Sequence, residues 1–226
     1  MPSTETQPTQ ACRVSVRGVH KSYRQGSRSV QALRGVDLQI EGPGFHAIMG
    51  PSGSGKSTLL YLLAGLDTAD AGEIRVGDVS LANLSEAELT LHRRRRSGVI
   101  FQGFNLLPTL TALENVTLPA TLDGRSHALM APRAAELLQE PPVLLADEPT
   151  GNLDSQTSDR LWRLLAEIAA RRNMLVLMVT HEPLAAVHCQ RVHVLRDGVV
   201  AGNIDLHGMD PSQLAVRVAD TLRAAR

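Results

Sequence analysis

The sequence predicts an α/β fold, with a largely parallel sheet and an antiparallel sheet at its side. Three observations carry that prediction. Short, almost wholly apolar runs recur at 44–50 (GFHAIMG), 98–102 (GVIFQ), 142–147 (PVLLAD) and 174–181 (MLVLMVTH). Such runs suit strands buried on both faces, as a parallel sheet demands. Segments of helical composition separate them, the alternation expected of an α/β domain. Apolar residues instead alternate around Val14–Val19 and Val36–Ile40, the pattern of half-buried antiparallel strands.

Taken in order, residues 1–12 are expected to form a disordered tail. The opening MPSTETQPTQ is polar and lacks the basic and apolar regions of a signal peptide. Residues 13–226 are read as a single domain. KSTLLYLLAGL (56–66) has helical composition, and GEIRVGDVSL (72–81) is a strand with a Gly-Asp turn. Ser85 with Glu88 and Thr111 with Glu114 are capping boxes that open two helices. Leu161, Leu164, Leu165 and Ile168 are expected on one apolar helix face, with Trp162 as a packing residue. RVHVLRDGVVAGNI (191–204) reads as a hairpin around Asp197-Gly198, and a helix begins at Pro211.

Composition narrows the function. The chain has 226 residues with no net formal charge, so no global field recruits nucleic acid or an anionic membrane. The run HRRRRSG (92–98) reads as a helix end whose cations oppose the negative dipole pole. Cys12 and Cys189 fit no disulfide or metal spacing. No apolar run is long enough for a transmembrane helix.

The chemistry begins at GPSGSGKST, residues 50–58. It matches G-x-x-x-x-G-K-[ST] between a predicted strand and a predicted helix. Gly50, Pro51, Ser52, Gly53, Ser54 and Gly55 form a loop whose backbone N–H groups can wrap phosphates. Lys56 reaches the terminal phosphates, Ser57 coordinates Mg2+, and Thr58 continues the site into the helix. Asp147 and Glu148 end an apolar run. There a carboxylate can hold Mg2+ while its neighbour orients or deprotonates water. His181 ends the next such run; it serves structure as readily as sensing a γ-phosphate. Gln102 is either a solvated strand end or a Mg2+ and water ligand. Tyr23 is expected to lie before the side sheet, where it can stack on adenine.

These motifs, in this order, resemble the ATP-binding subunit of an ABC transporter. Such a subunit has a P-loop NTPase core, an antiparallel side sheet and a helical subdomain. The resemblance gives Tyr23 the adenine-stacking position, Gln102 the Q-loop, Glu148 the catalytic carboxylate, His181 the switch histidine and Asp154, in GNLD, the D-loop. It implies ATP and Mg2+ as cofactors. MGPSGSGKSTLL, FQGFNLLPTLTALENV and LLADEPTGNLD resemble the lipoprotein-releasing and macrolide-export branch. The resemblance then implies a membrane permease docked near Phe104–Val116, a cassette dimer, and a location on the inner face of the cell membrane. It implies no nucleic-acid partner.

One departure stands out. Members of the family carry a Leu-Ser-Gly-Gly-Gln signature between the Q-loop and the magnesium strand. Gln102 and Asp147 are only 45 residues apart here, and no Ser-Gly-Gly lies between them. Residues 103–140 are therefore read as a shortened helical subdomain, with the seam near Ala134–Leu138. In the family, ATP sits between the phosphate loop of one cassette and the signature of the other. Loss of that segment implies a chain that binds ATP but hydrolyses it poorly as a homodimer. The alternatives are a heterodimer with a complete cassette, a non-hydrolysing regulatory subunit, and the relic of an in-frame deletion.

Overall fold

The computed structural model describes residues 13–103, 109–111, 114, 115, 118, 141–206 and 208–225. Among them are two sheets. The first is antiparallel and holds β1 (Arg13–Gln25), β2 (Arg28–Glu41), β4 (Ala71–Val76) and β5 (Val79–Ser80), in the order β2-β1-β4-β5. The second holds β3 (Gly44–Met49), β6 (Ser97–Ile100), β7 (Val143–Asp147), β8 (Leu175–Thr180), β9 (Arg191–Arg196) and β10 (Val199–Asp205), in the order β10-β9-β3-β8-β7-β6. Pairing is parallel from β9 through β6, and only the β9–β10 hairpin is antiparallel. The expected α/β architecture with a side sheet is the one found.

Burial explains the two kinds of strand. Every residue of β3 and β8 is buried, so these runs are apolar on both faces. In β2 the pattern alternates, with Leu38 and Ile40 inward and Asp37 and Gln39 outward. Side chains of β3 part in opposite directions. Ile48 joins a cluster with α1 (Lys56–Leu63) and the side sheet, while Phe45, Ala47 and Met49 join one with α3 (Ser155–Arg171) and α5 (Pro211–Ala224). Each fully buried Leu or Ile adds about 1.5–3 kcal/mol relative to exposure.

Further helices among the described residues include α2 (Glu86–Arg95) and the short α4 (Pro183–Ala186). The capping boxes at Ser85–Glu88 and Thr111–Glu114 both form. A two-residue turn, Asp197 at φ 48 and Gly198 at φ 79, closes the β9–β10 hairpin as anticipated. Three expectations need correction. The buried face of α3 is Ser158, Trp162, Leu165 and Ala169, and Leu164 is 51% exposed. Leu161 and Ile168 pack at the margin of the same cluster, so the face is centred on Trp162 and Leu165 and only Leu164 turns away from it. Tyr23 lies inside β1 rather than before the side sheet, because β1 continues to Gln25 through register shifts near Val19 and Lys21. Strand β6 stops at Ile100, leaving Gln102 in the turn beyond it.

The tail at 1–12 and the predicted seam at Ala134–Leu138 lie outside the described residues, as does most of Phe104–Val116.

Candidate nucleotide site

Strand register assembles the site. Met49 pairs with Thr180, Val179 with Asp147, and Ala146 with Ile100. The carboxyl ends of β3, β8, β7 and β6 therefore align, and Gly50, His181, Glu148 and Gln102 follow at one edge. That edge is where parallel α/β sheets place ligands.

The loop from Gly50 to Gly55 needs its glycines. A Cβ on Gly50 would lie 2.0 Å from the Leu195 carbonyl oxygen. Gly55 has φ +99, and a Cβ there would lie 2.4 Å from the Ala32 carbonyl oxygen. Gly55 caps α1, so the positive helix end faces the loop. Lys56 Nζ donates to the Gly50 and Pro51 carbonyls at 3.0 and 2.9 Å. Burial lowers the Lys56 pKa, while Glu148 and Asp147 oppose that shift. Ser57 Oγ donates to Asp147 Oδ1 at 2.9 Å. A hydroxyl and a carboxylate converging beside a phosphate loop form the hard-oxygen donor set that Mg2+ takes, so the residues fit that ion. Ser54 is set apart from the loop's exposed rim. It is 3% exposed and its hydroxyl has no partner, while its carbonyl accepts from Gly198 N at 3.1 Å.

Glu148 is held in a rare backbone state, φ 42. Such a conformation costs about 1–3 kcal/mol and persists where surrounding bonds enforce it. Here Glu148 N donates to Val179 O and Gly151 N donates to Glu148 O, each at 3.0 Å. The side chain then meets His181 Nδ1 at 3.0 Å. Gln102 Nε2 lies 3.5 Å from the other Glu148 oxygen, at the limit of a hydrogen bond. Asn152 Nδ2 donates to the Gln102 carbonyl at 3.0 Å and pins this turn; the sequence reading missed it, although it lies next to Gly151 in GNLD.

A cleft of about 750 Å³ opens over the loop. Lys56, Ser57, Glu148 and His181 line its polar part, and Tyr23, Val30 and Ala32 line an apolar part. The Tyr23 hydroxyl donates to Asp67 at 2.8 Å, and Lys21 pairs with the same carboxylate at 2.6 Å. Desolvation first, then the Asp67 contact, raises the Tyr23 pKa. Asp67 was not anticipated; Lys21 beside Tyr23 was its only hint. Two residues of α5, Val218 and Leu222, also line the cleft and were likewise missed.

Asp154 stands apart from these groups. Its carboxylate caps α3, accepting from Gln156 N and Thr157 N at 3.0 Å each and from Thr157 Oγ1 at 2.7 Å. It is not among the described residues lining the cleft.

The phosphate loop after β3, the acidic pair at the end of β7 and the antiparallel side sheet define a nucleoside-triphosphate-binding domain of the P-loop class. Comparison with known proteins takes the assignment further. Residues 33–134 match the family described as ABC transporter. A Methanocaldococcus jannaschii ABC transporter ATP-binding protein, MJ0796, is 35% identical over 87% of this chain and 99% of its own length. The lipoprotein-releasing system ATP-binding protein LolD of Legionella pneumophila is 36% identical over 80% of this chain and 93% of its own. The macrolide export ATP-binding/permease protein MacB of Bdellovibrio bacteriovorus is 36% identical over 87% of this chain, which spans 34% of that longer protein. A dimeric structure of MJ0796 bound to ADP and Pi superposes with a TM-score of 0.80, at 34% identity over 85% of this chain and 98% of that one. The chain belongs to the ATP-binding domains of ABC transporters, whose cassettes are ATPases.

The same alignments show that this chain is shorter than its relatives over the matched region. The alignment to MJ0796 runs 232 positions, while 87% of this chain's 226 residues is about 197, so about 35 positions fall opposite gaps in this chain. Against LolD, 211 positions and 80% of the chain leave about 30. No two adjacent glycines occur anywhere in the 226 residues.

Proposed function

We propose that this chain binds ATP and Mg2+ in the cleft and serves as the energy-coupling subunit of a membrane transporter or extraction complex. Its own pair of copies hydrolyses ATP poorly. One observation carries the binding and chemical part. Ser57 and Asp147 meet at 2.9 Å beside Lys56, and Glu148 meets His181 at 3.0 Å across the same edge.

The loop N–H groups and Lys56 hold the phosphates, Lys56 exchanging its carbonyl partners for β- and γ-oxygens. Ser57 and Asp147 would hold Mg2+, with Gln102 at the same sheet edge as a further candidate ligand, and the ion would supply positive charge against the phosphates. Glu148 orients the attacking water and accepts its proton. The water oxygen bonds to the γ-phosphorus as the bond to the β-phosphate oxygen breaks, giving ADP and inorganic phosphate. His181 meets Glu148 through Nδ1 and would contact the γ-phosphate by donating a proton carried on Nε2. Tyr23, fixed by Asp67, stacks on adenine. Asp154 contributes indirectly, by starting α3 where the chain leaves Glu148.

The coupling part rests on the family and on the relatives named as transporter components. A permease docks against the segment around Phe104–Val116 and holds the chain at the inner face of the membrane; nucleic acid is no partner. The absence of Ser-Gly-Gly removes the donors that a second cassette offers a γ-phosphate. Without them ATP has little differential affinity for the closed dimer. A complete partner cassette restores one composite site, at this chain's Lys56 and Glu148. The same absence favours a second reading, a nucleotide-binding regulatory subunit without turnover.

Titration with a fluorescent ATP analogue tests binding: saturable binding abolished by Lys56→Ala is expected, and equal signal in both proteins contradicts the assignment. Phosphate release by the purified chain tests the rest, with brisk turnover contradicting an impaired homodimer.

A further inference from the structure

The cleft has more apolar wall than the sequence motifs account for. Tyr23, Val30 and Ala32 come from the side sheet, but Val218 and Leu222 come from α5, nearly two hundred residues later in the chain. They are four apart and share one helix face. Phosphates require the polar end around Lys56. The base and ribose are the parts of a nucleotide that gain from apolar cover.

Helix α5 is also tied to the phosphate loop through hydrogen bonds. Arg196 Nη1, at the end of β9, donates to the Leu222 carbonyl. Asp197-Gly198 follows, and there Gly198 N donates to Ser54 O at 3.1 Å while Gly198 O accepts from Arg34 N at 2.8 Å. The loop, the hairpin turn and the C-terminal half of α5 thus form one connected frame. Close packing reinforces it, since a Cβ on Gly202 would lie 2.8 Å from Thr221 Cγ2. Leu214 is fully buried and anchors the helix at its other end.

We infer that Val218 and Leu222 of α5 are affinity- and specificity-determining contacts for the nucleoside part of the nucleotide, with Arg196 as the residue that positions them. The inference rests on the cleft being the nucleotide site. It assigns α5 no part in holding the phosphates.

Isothermal titration with Mg-ATP and with Mg-tripolyphosphate, which lacks base and ribose, separates the contributions. In Val218→Ala/Leu222→Ala the affinity for ATP is expected to fall about tenfold, as two truncated apolar contacts imply. Tripolyphosphate affinity is expected to stay within about twofold, a change near the measurement's reach. Val218→Thr replaces one methyl by a hydroxyl at nearly the same shape on a partly buried side chain, and with folding checked by circular dichroism it should weaken ATP alone, by a smaller factor. Arg196→Ala should act in the same direction. Unchanged ATP affinity in the double variant overturns the inference, and so does equal loss for both ligands. If Lys56→Ala binds both ligands as tightly as the parent, the nucleotide assignment itself fails, which is a different outcome.

Discussion

His46 gives the most quantitative prediction. It lies buried in β3, stacked on His193 of β9 with ring centroids 5.7 Å apart. His46 Nδ1 and His193 Nε2 have no hydrogen-bond partner. Desolvation, then the repulsion of His193 and Arg191, lowers the His46 pKa from 6.5 to about 4. The fold keeps His46 neutral, whereas the unfolded chain takes up a proton below its ordinary value. Stability is therefore retained above about pH 6.5 and lost progressively as pH falls toward 4. Linkage with these two values gives a loss of about 2 kcal/mol between pH 7 and pH 5 from His46 alone. His46→Leu removes that term with little change in volume and no unpaired nitrogen at this position. Urea unfolding at both pH values reads the effect. With a slope of about 2 kcal/mol per molar, the midpoint of the parent should drop about 1 M further than that of the variant. Burial also lowers the pKa of His193 and His92, and both residues are present in parent and variant alike. Equal drops in parent and variant would refute the reasoning.

Further perturbations probe other parts of the account. Gly55→Ala forces a Cβ to 2.4 Å from the Ala32 carbonyl at φ +99, so nucleotide affinity should fall at least about tenfold in a fluorescence titration. Trp162→Ala, at a residue 5% exposed, should cost about 3–5 kcal/mol in denaturant unfolding, whereas Leu164→Ala should stay near about 0.5 kcal/mol. Asp154→Ala should speed hydrogen exchange at the Gln156 and Thr157 amides by removing their acceptor, and Asp154→Asn should largely restore protection. Turnover in a complete heterodimer that follows the helix cap would support an indirect role for Asp154.

Much of this protein was legible in order along the chain, because local chemistry dictates local form. Gly50 to Thr58 could be read because a phosphate loop needs glycines and a lysine at fixed spacing. Asp147, Glu148 and His181 could be read because each ends an apolar strand. What could not be read depended on pairing. The Val19 and Lys21 register shifts that carry Tyr23 into β1 leave no mark in a periodicity. The rotation of α3 onto Trp162 is set by the sheet it packs against. Asp154 looked like a ligand because GNLD pointed there, while its spacing to Gln156 and Thr157 equally describes a helix cap. Val218 and Leu222 carried only an i, i+4 pattern in the last helix, and nothing local tied them to a loop at residue 50. The His46–His193 pair arises from two strands joined only by parallel pairing.

The central claim is that this chain retains the binding and hydrolytic half of an ATP site and lacks the half offered to its neighbour. It is tested most directly by phosphate release from a mixture with a complete cassette whose own catalytic glutamate has been replaced by glutamine. In that mixture the only competent pairing joins this chain's Lys56 and Glu148 to the partner's signature. The account predicts that turnover appears on mixing, is negligible in either protein alone, and disappears with Glu148→Gln in this chain. Turnover by this chain alone at the mixed rate, or turnover on mixing that survives Glu148→Gln, would contradict it.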